Sequence, residues 1–89
     1  MKIKENFALR QIAGSWVVLP LGEATVDFTG MLTLNESGLM IWHLLEKGST
    51  REAMAQALTD EYEVSYDTAI SDVEEYLEKL TQANCIDLQ

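Results

Sequence analysis

The sequence predicts an α+β domain with the outline of a winged helix-turn-helix, in which a small three-stranded antiparallel sheet is followed by three helices. Positions 7–34 hold short runs rich in Val, Leu, Thr and aromatic residues, separated by glycine and proline. From Asn35 onward the apolar residues recur at helical spacing. The chain has 89 residues, the size of one domain. We therefore expect a single domain over residues 1–89.

The strand signals predict three strands, over Phe7–Ile12, Trp16–Leu19 and Gly30–Leu34. The small residues Ala13-Gly14-Ser15 favour a turn between the first two strands. Pro20 cannot donate to a β-ladder, so it should end the second strand. In the third, Leu32 and Leu34 share one face, the period of two expected of a strand with one buried side. A sheet this small leaves two edges open unless another segment pairs with them.

The first helix is predicted between Asn35, a good N-cap, and Gly48, which is placed to end it in a left-handed conformation. Its middle is apolar almost all round, so we expect it to be the most buried element. For the second helix, Ser49 fits a capping box with a later glutamate, and Thr50 is the alternative N-cap. This helix should end near Tyr62.

Ser65 caps the third and longest predicted helix, and Asn84 closes it. After it, Ile86 and Leu88 can add a short final strand. Helical spacing assigns one set of apolar residues to the inward side of the third helix: Tyr66, Ala69, Ile70, Val73, Tyr76, Leu77 and Leu80.

The net charge is −9, from fifteen acidic against six basic residues. Such a surface repels phosphate backbones and anionic lipid, so we expect no nucleic-acid partner and no membrane partner. No signal peptide is evident, and no apolar run approaches the ~20 residues of a membrane span. The single cysteine, Cys85, cannot form an internal disulfide and fits a reducing compartment. We therefore expect a cytoplasmic protein.

The chain contains no G-x-S-x-G, no phosphate-binding Gly-rich loop, no H-E-x-x-H and no C-x-x-C. His43 lies on an otherwise apolar helix, and Cys85 has no basic neighbours in sequence to stabilise a thiolate. One histidine and one cysteine are too few for a structural zinc site. We expect no catalytic residues, no metal and no cofactor.

Eight carboxylates lie between Asp60 and Glu78 with no basic residue among them. Their spacing does not match a calcium-binding loop. They form either a solvated helix face or a docking surface for a basic partner. In a DNA-reading helix-turn-helix the third helix would enter the major groove, where outward Arg, Lys, Asn or Gln are needed. Carboxylates at those positions argue against DNA binding.

The apolar stripe of the third helix is wider than two short helices and three strands would cover. It is either plain core, or it opens in part beside the third strand as a groove. Such a groove would have strand backbone on one wall and apolar side chains on the other, the geometry that captures an extended peptide by strand addition. We expect an aspartate at Val73 to abolish peptide binding in the groove; if the residue is core, the protein should unfold instead.

The run GMLTLNESGLMIWHLL from Gly30 to Leu45 closely resembles the L-N-x-x-G-x-x-I-W-x-L-L signature of the PqqD-like family, the pyrroloquinoline quinone biosynthesis protein D family. At Asn84-Cys85-Ile86 the chain departs from the family pattern, which usually has a glycine followed by apolar residues at these positions. Further resemblance covers nearly the whole chain, through Phe7–Gly14, Val17–Pro20, Gly48–Glu52, Leu58–Val64 and Asp72–Leu80.

This resemblance implies a peptide-recognition domain that is not an enzyme. Such domains hold the leader segment of a ribosomal precursor peptide as a strand added to the third strand, in the cleft shared with the third helix. They present the core segment to a modifying enzyme, commonly a radical S-adenosylmethionine protein. The partners implied are therefore a precursor peptide and a modifying enzyme.

The resemblance also assigns roles by position. Asn35, Gly38 and Trp42 are implied to be structural, as helix cap, close-packing site and core anchor. Backbone pairing with the leader is assigned to Asp27, Phe28, Thr29, Gly30, Met31, Leu32, Thr33 and Leu34. Lining of the peptide pocket is assigned to Tyr66, Ala69, Ile70, Val73 and Leu77.

Two other functions stay open at this point. One is a winged-helix DNA-binding regulator, which a salt-dependent gel shift would support. The other is a structural subunit that forms a homodimer through its open strand edge.

Overall fold

The computed structural model describes residues 1–22 and 32–87, which form two small antiparallel sheets and three helices. The strands are β1 (Lys2–Ile3), β2 (Phe7–Ile12), β3 (Ser15–Pro20), β4 (Leu32–Leu34) and β5 (Ile86–Asp87). The helices are α1 (Glu36–Lys47), α2 (Arg51–Glu61) and α3 (Tyr66–Gln82). The predicted α+β, winged helix-turn-helix-like fold is confirmed.

The three-stranded sheet has the order β2-β3-β4. A two-residue turn joins β2 to β3, in which Ala13 and Gly14 both have positive φ, at 51° and 83°. Positive φ at both central residues is typical of the hairpin turns that match strand twist. β4 pairs with β3 in the register Trp16↔Leu34 and Val18↔Leu32, so these four side chains share one face of the sheet. That face of the sheet packs against the helices.

A single hydrophobic core joins this face of the sheet to all three helices. Trp42 in α1 is only 1% exposed and anchors the core, as predicted, although its indole N–H has no acceptor among the described residues. The outer side of α1 is half-buried at Leu39 and Leu44 and exposed at His43, because the sheet and the other helices cover one side of this helix. The fully or almost fully buried apolar side chains of this core are Val18, Leu34, Ile41, Trp42, Leu45, Met54, Ala55, Leu58, Ala69, Val73, Leu77, Leu80, Cys85 and Ile86.

The predicted helix boundaries agree closely with the structure. The Asn35 side chain accepts from the backbone N–H of Gly38 at 2.9 Å, and the Ser65 hydroxyl accepts from that of Thr68 at 3.2 Å. Asn84, at φ 59°, follows the last turn of α3 in the left-handed conformation that ends a helix. Of the two candidate caps for α2, Thr50 is the one used, since its hydroxyl accepts from Ala53 N–H at 3.1 Å.

The N-terminal strand has no counterpart in the sequence interpretation. β1 pairs with β5, and the amide of Lys4 donates to the carbonyl of Cys85 at 2.8 Å. The N-terminal ammonium of Met1 donates to the carbonyl of Ser49 at 3.0 Å. A two-residue strand has no readable periodicity, and its partner lies at the other end of the chain. The predicted final strand is confirmed at Ile86, whereas Leu88 lies outside the described residues.

Removal of the α2 cap should lower stability measurably. We expect Thr50→Ala to reduce the free energy of unfolding by about 1 kcal/mol, because the amide of Ala53 would lose its acceptor. Ser49→Ala is the matched control, since the bonds of Ser49 to Met1 are made by its backbone and survive the change. Urea titrations of the two variants test the assignment, and an equal loss in both would contradict it.

Candidate peptide-binding site

β4 is an edge strand within the part of the chain that the structure describes. One of its edges pairs with β3, and β2 lies at the far side of the same sheet. In an antiparallel ladder every second residue directs its N–H and C=O away from the paired neighbour, so the outer edge of β4 presents backbone donors and acceptors. Leu32 is half-buried on the core face, and Thr33 is exposed on the opposite face. Residues Asp27, Phe28, Thr29, Gly30 and Met31, predicted to extend this edge, lie outside the described residues.

The α3 residues predicted to line the pocket separate into two groups in the structure. Ala69 and Val73 are 0% exposed and Leu77 is 4% exposed, and all three belong to the hydrophobic core. Ile70 is half-buried. Tyr66, predicted to point inward, is 42% exposed, because it is the first residue of α3 and precedes the turn that packs on the core. The stripe is therefore mostly core, and its members that are not buried are Tyr66, Ile70 and Tyr76.

One contact shows which side of α3 lies next to the end of β4. The hydroxyl of Tyr76 donates to the side-chain oxygen of Asn35, the residue that directly follows β4. Asp72 and Lys79 lie one turn to either side of Tyr76 and so share this side of the helix. Ile70 is about 120° farther around α3, at 100° per residue. The side of α3 nearest to the end of β4 therefore contains the Tyr76 ring together with exposed charged side chains and buried core residues.

Gly38 allows this contact to form. The oxygen of Asn35 that accepts from Tyr76 also accepts from the Gly38 amide and from the hydroxyl of Ser37 at 3.0 Å. The Tyr76 ring lies directly on α1 here, since a Cβ added to Gly38 would be 2.6 Å from Cε1 of Tyr76. The close-packing role that the resemblance implied for Gly38 thus has a specific partner. The end of β4, the start of α1 and the middle of α3 are held together at this point.

A pocket of about 400 Å³ opens beside this junction. Its apolar lining residues are Leu58, Tyr62 and Val64, and its acidic ones are Glu36 and Asp72. Sequence reasoning did not find this pocket, because its residues come from α1, α2, α3 and a connecting loop, and no local pattern links them. The residues that line it are Asn35, Glu36, Ser37, Leu58, Tyr62, Val64 and Asp72.

The acidic residues from Asp60 to Glu78 all lie on the surface. One of them, Glu75, is 3.9 Å from the Lys79 ammonium, which also lies 5.4 Å from the Tyr76 ring centroid. His43 is exposed and hydrogen-bonded to Glu46 at 2.8 Å. In residues 1–22 and 32–87 we find no cluster of His, Cys, Asp and Glu placed to hold a metal ion. Within the same ranges no helix has the length and apolarity needed to cross a membrane.

The Cys85 thiol is fully buried and donates weakly to the carbonyl of Ala83 at 3.7 Å. Burial raises the pKa of Cys85 from 9.0 to about 11, and the Lys4 ammonium opposes this shift. Since the folded pKa exceeds the unfolded one, burial of the neutral thiol stabilises the fold fully below pH 9.0, and this contribution is lost as the pH rises toward about 11.

We therefore expect wild-type protein to lose more stability than Cys85→Ala between pH 9.0 and about 11. The alanine variant is the matched control because it lacks the thiol but keeps the other groups that titrate in that range. Urea unfolding of both proteins at each end of the range measures the difference. Parallel losses in the two proteins would show that Cys85 does not titrate with folding.

Comparisons with known proteins agree with this architecture. The family profile of coenzyme PQQ synthesis protein D (PqqD) matches residues 15–86. The solved structure of TbiB1 in complex with the TbiA(beta) leader peptide is 27% identical, with a TM-score of 0.79 over 100% of this chain and 98% of that one. Lasso peptide synthetase B1 complexed with the leader peptide has the same fold, at 24% identity and a TM-score of 0.75 over 94% of this chain and 93% of that one.

No curated protein sequence matches the chain significantly. The family profile nevertheless spans all three helices and the strands β3 and β4, which include the signature from Leu34 to Leu45. The resemblance seen in the sequence is thereby confirmed. The protein belongs to the PqqD family, that of coenzyme PQQ synthesis protein D.

Proposed function

We propose that this protein binds the leader segment of a ribosomal precursor peptide as a strand added to the outer edge of β4, beside α3. The observation that carries the proposal is the match to TbiB1 over the whole chain, since that structure is a complex with a leader peptide. Among the described residues β4 is an edge strand, and an edge strand is what strand addition requires.

Strand addition suits a domain of this size. Main-chain hydrogen bonds supply affinity along the sheet edge, and side-chain pockets supply specificity, so no deep cavity is needed. Asp27 through Leu34 provide the pairing edge in this proposal. Of the residues assigned to this site, Leu32 and Ile70 are half-buried and Tyr66 is exposed, whereas Ala69, Val73 and Leu77 support the site from the core.

The protein acts in this proposal as a non-catalytic adaptor. A modifying enzyme, of the radical S-adenosylmethionine type, supplies the chemistry on the core segment of the peptide. The setting is the cytoplasm, where ribosomal precursors are made. The exposed carboxylates of α3 repel nucleic acid from the helix that a DNA-binding relative would insert into the major groove.

The direct test is titration calorimetry with the leader segment of a short precursor peptide from the same organism, using a series of leaders in which single backbone amides are N-methylated. If the leader adds to β4, methylation of every second leader amide should lower the affinity, because only alternate leader residues direct their N–H toward β4. Each methyl group on a pairing amide should weaken binding by about tenfold. Losses of affinity that do not alternate along the leader would overturn strand addition. The absence of binding heat with the unmodified leader would overturn leader binding.

A homodimer through β4 predicts a different result. Two copies paired edge to edge would occupy the groups that the leader needs, so the dimer and the leader would compete. Light scattering with and without the precursor separates the two cases. A dimer that persists at saturating leader would place the dimer contact away from β4.

A further inference from the structure

We propose that the 400 Å³ pocket beside Asn35 receives a Lys or Arg side chain of the bound leader. This inference rests on the proposed function and adds a specificity determinant to it. The aliphatic stem of the basic side chain would lie on Leu58, Tyr62 and Val64, and its charged end would lie near Glu36 and Asp72.

The position of the pocket connects it to the proposed leader path. Asn35 and Glu36 directly follow β4 and line the pocket, so the pocket lies just beyond the end of the strand with which the leader would pair. Asp72 lies one turn before Tyr76, the α3 residue that touches Asn35. The pocket therefore lies just beyond the end of β4, beside the contact between α3 and the start of α1.

The lining of the pocket fits a long side chain with an apolar stem. Leu58 is 2% exposed and belongs to the core, Tyr62 is half-buried, and Val64 is exposed beside them at 37%. Long basic side chains bury their methylene groups on apolar surface while keeping the charge near water. A pocket lined by both apolar and acidic residues matches that division.

The charge of the pocket selects a cation. Its lining holds two carboxylates, Glu36 and Asp72, and no basic residue. The exposed Glu61 and Glu63 flank Tyr62 in sequence and add to the negative potential. The start of α1 contributes an opposing partial charge of only about +0.5, which is smaller than that of the two carboxylates. Acidic leader residues are repelled, and purely apolar ones gain no electrostatic attraction from the carboxylates.

The test is a selection of random linear peptides displayed on phage, carried out in parallel against wild type and the double variant Glu36→Gln/Asp72→Asn. Both residues are exposed, so the neutral replacements should preserve the fold, which circular dichroism checks. The matched control is Glu74→Gln/Glu78→Gln, which removes two charges from α3 residues outside this pocket.

Peptides enriched on wild type and on the control should carry Lys or Arg at one fixed position, and those enriched on the double variant should not. For a selected peptide, we expect the double variant to weaken binding about three- to tenfold, with a smaller dependence on salt. A fixed aromatic or aliphatic residue in place of the basic one, or a basic residue retained on the double variant, would overturn this inference while leaving strand addition intact. Enrichment of no peptide on wild type would overturn both proposals.

Discussion

Replacing Val73 by aspartate should unfold the protein. Val73 lies in α3 and is 0% exposed, on the side of the helix that packs in the core. An aspartate carboxylate at this position would lose its hydration and would find no cation in the core. Burial of such a group costs several kcal/mol or forces its neutralisation. A small domain has a total stability of only about 5–15 kcal/mol, so we expect a loss of at least about 4 kcal/mol. Urea unfolding followed by circular dichroism measures it.

Ser71→Asp is the matched control for this substitution. It introduces the same side chain two residues earlier in α3, at an exposed position. Repulsion from Asp67 and Glu75, each four residues away, should cost only a few tenths of a kcal/mol. A folded Val73→Asp variant that has lost leader binding would contradict the structure and would support the groove interpretation of this residue.

Replacing Gly38 by alanine should destabilise the protein, although the same change inside an ordinary helix stabilises it by about 1 kcal/mol. The new Cβ would be 2.6 Å from the Tyr76 ring, so the ring must shift, and we expect this shift to break its hydrogen bond to Asn35. Overpacking of this kind costs about 1–3 kcal/mol, and the lost hydrogen bond about 1 kcal/mol more. We therefore expect a net loss of about 1–3 kcal/mol in urea titrations.

A double-mutant cycle with Tyr76→Ala identifies the cause. Without the ring, Gly38→Ala meets no obstacle there and should become stabilising by about 1 kcal/mol, in agreement with helix propensity. An equal destabilisation by Gly38→Ala in both backgrounds would show that Tyr76 is not the obstacle. Because Tyr76 holds α3 against the residue that follows β4, the same variants should also weaken leader binding in the proposed site.

Local patterns predicted most of the secondary structure correctly. The strand Phe7–Ile12 and the caps Asn35 and Ser65 depend on residues close together in sequence, which is why they could be read without tertiary information. The choice between Ser49 and Thr50 could not be made that way, since both can cap a helix at that spacing. It depends on the path by which the chain leaves α1, where the Ser49 backbone bonds to Met1.

The candidate site was predicted less completely. Periodicity indicated both the last strand of the sheet and the apolar stripe of α3. It does not show how much of that stripe is covered by neighbouring elements. In the structure Ala69 and Val73 are sealed in the core, whereas Tyr66 is exposed. The side of α3 that carries Tyr76 lies next to the end of β4, which no local pattern could indicate.

The sequence by itself determined the fold class, the family and the acidic character of α3, because these depend on residue order, spacing and charge. Only the tertiary structure decided which apolar residues form the core, which side of α3 lies by the end of β4, and where the acidic, apolar pocket opens. The physical reason is that a helix or strand specifies its own polar and apolar faces, whereas access to those faces depends on elements distant in the chain. Tyr76 and Gly38, separated in sequence and in contact in space, are the clearest case.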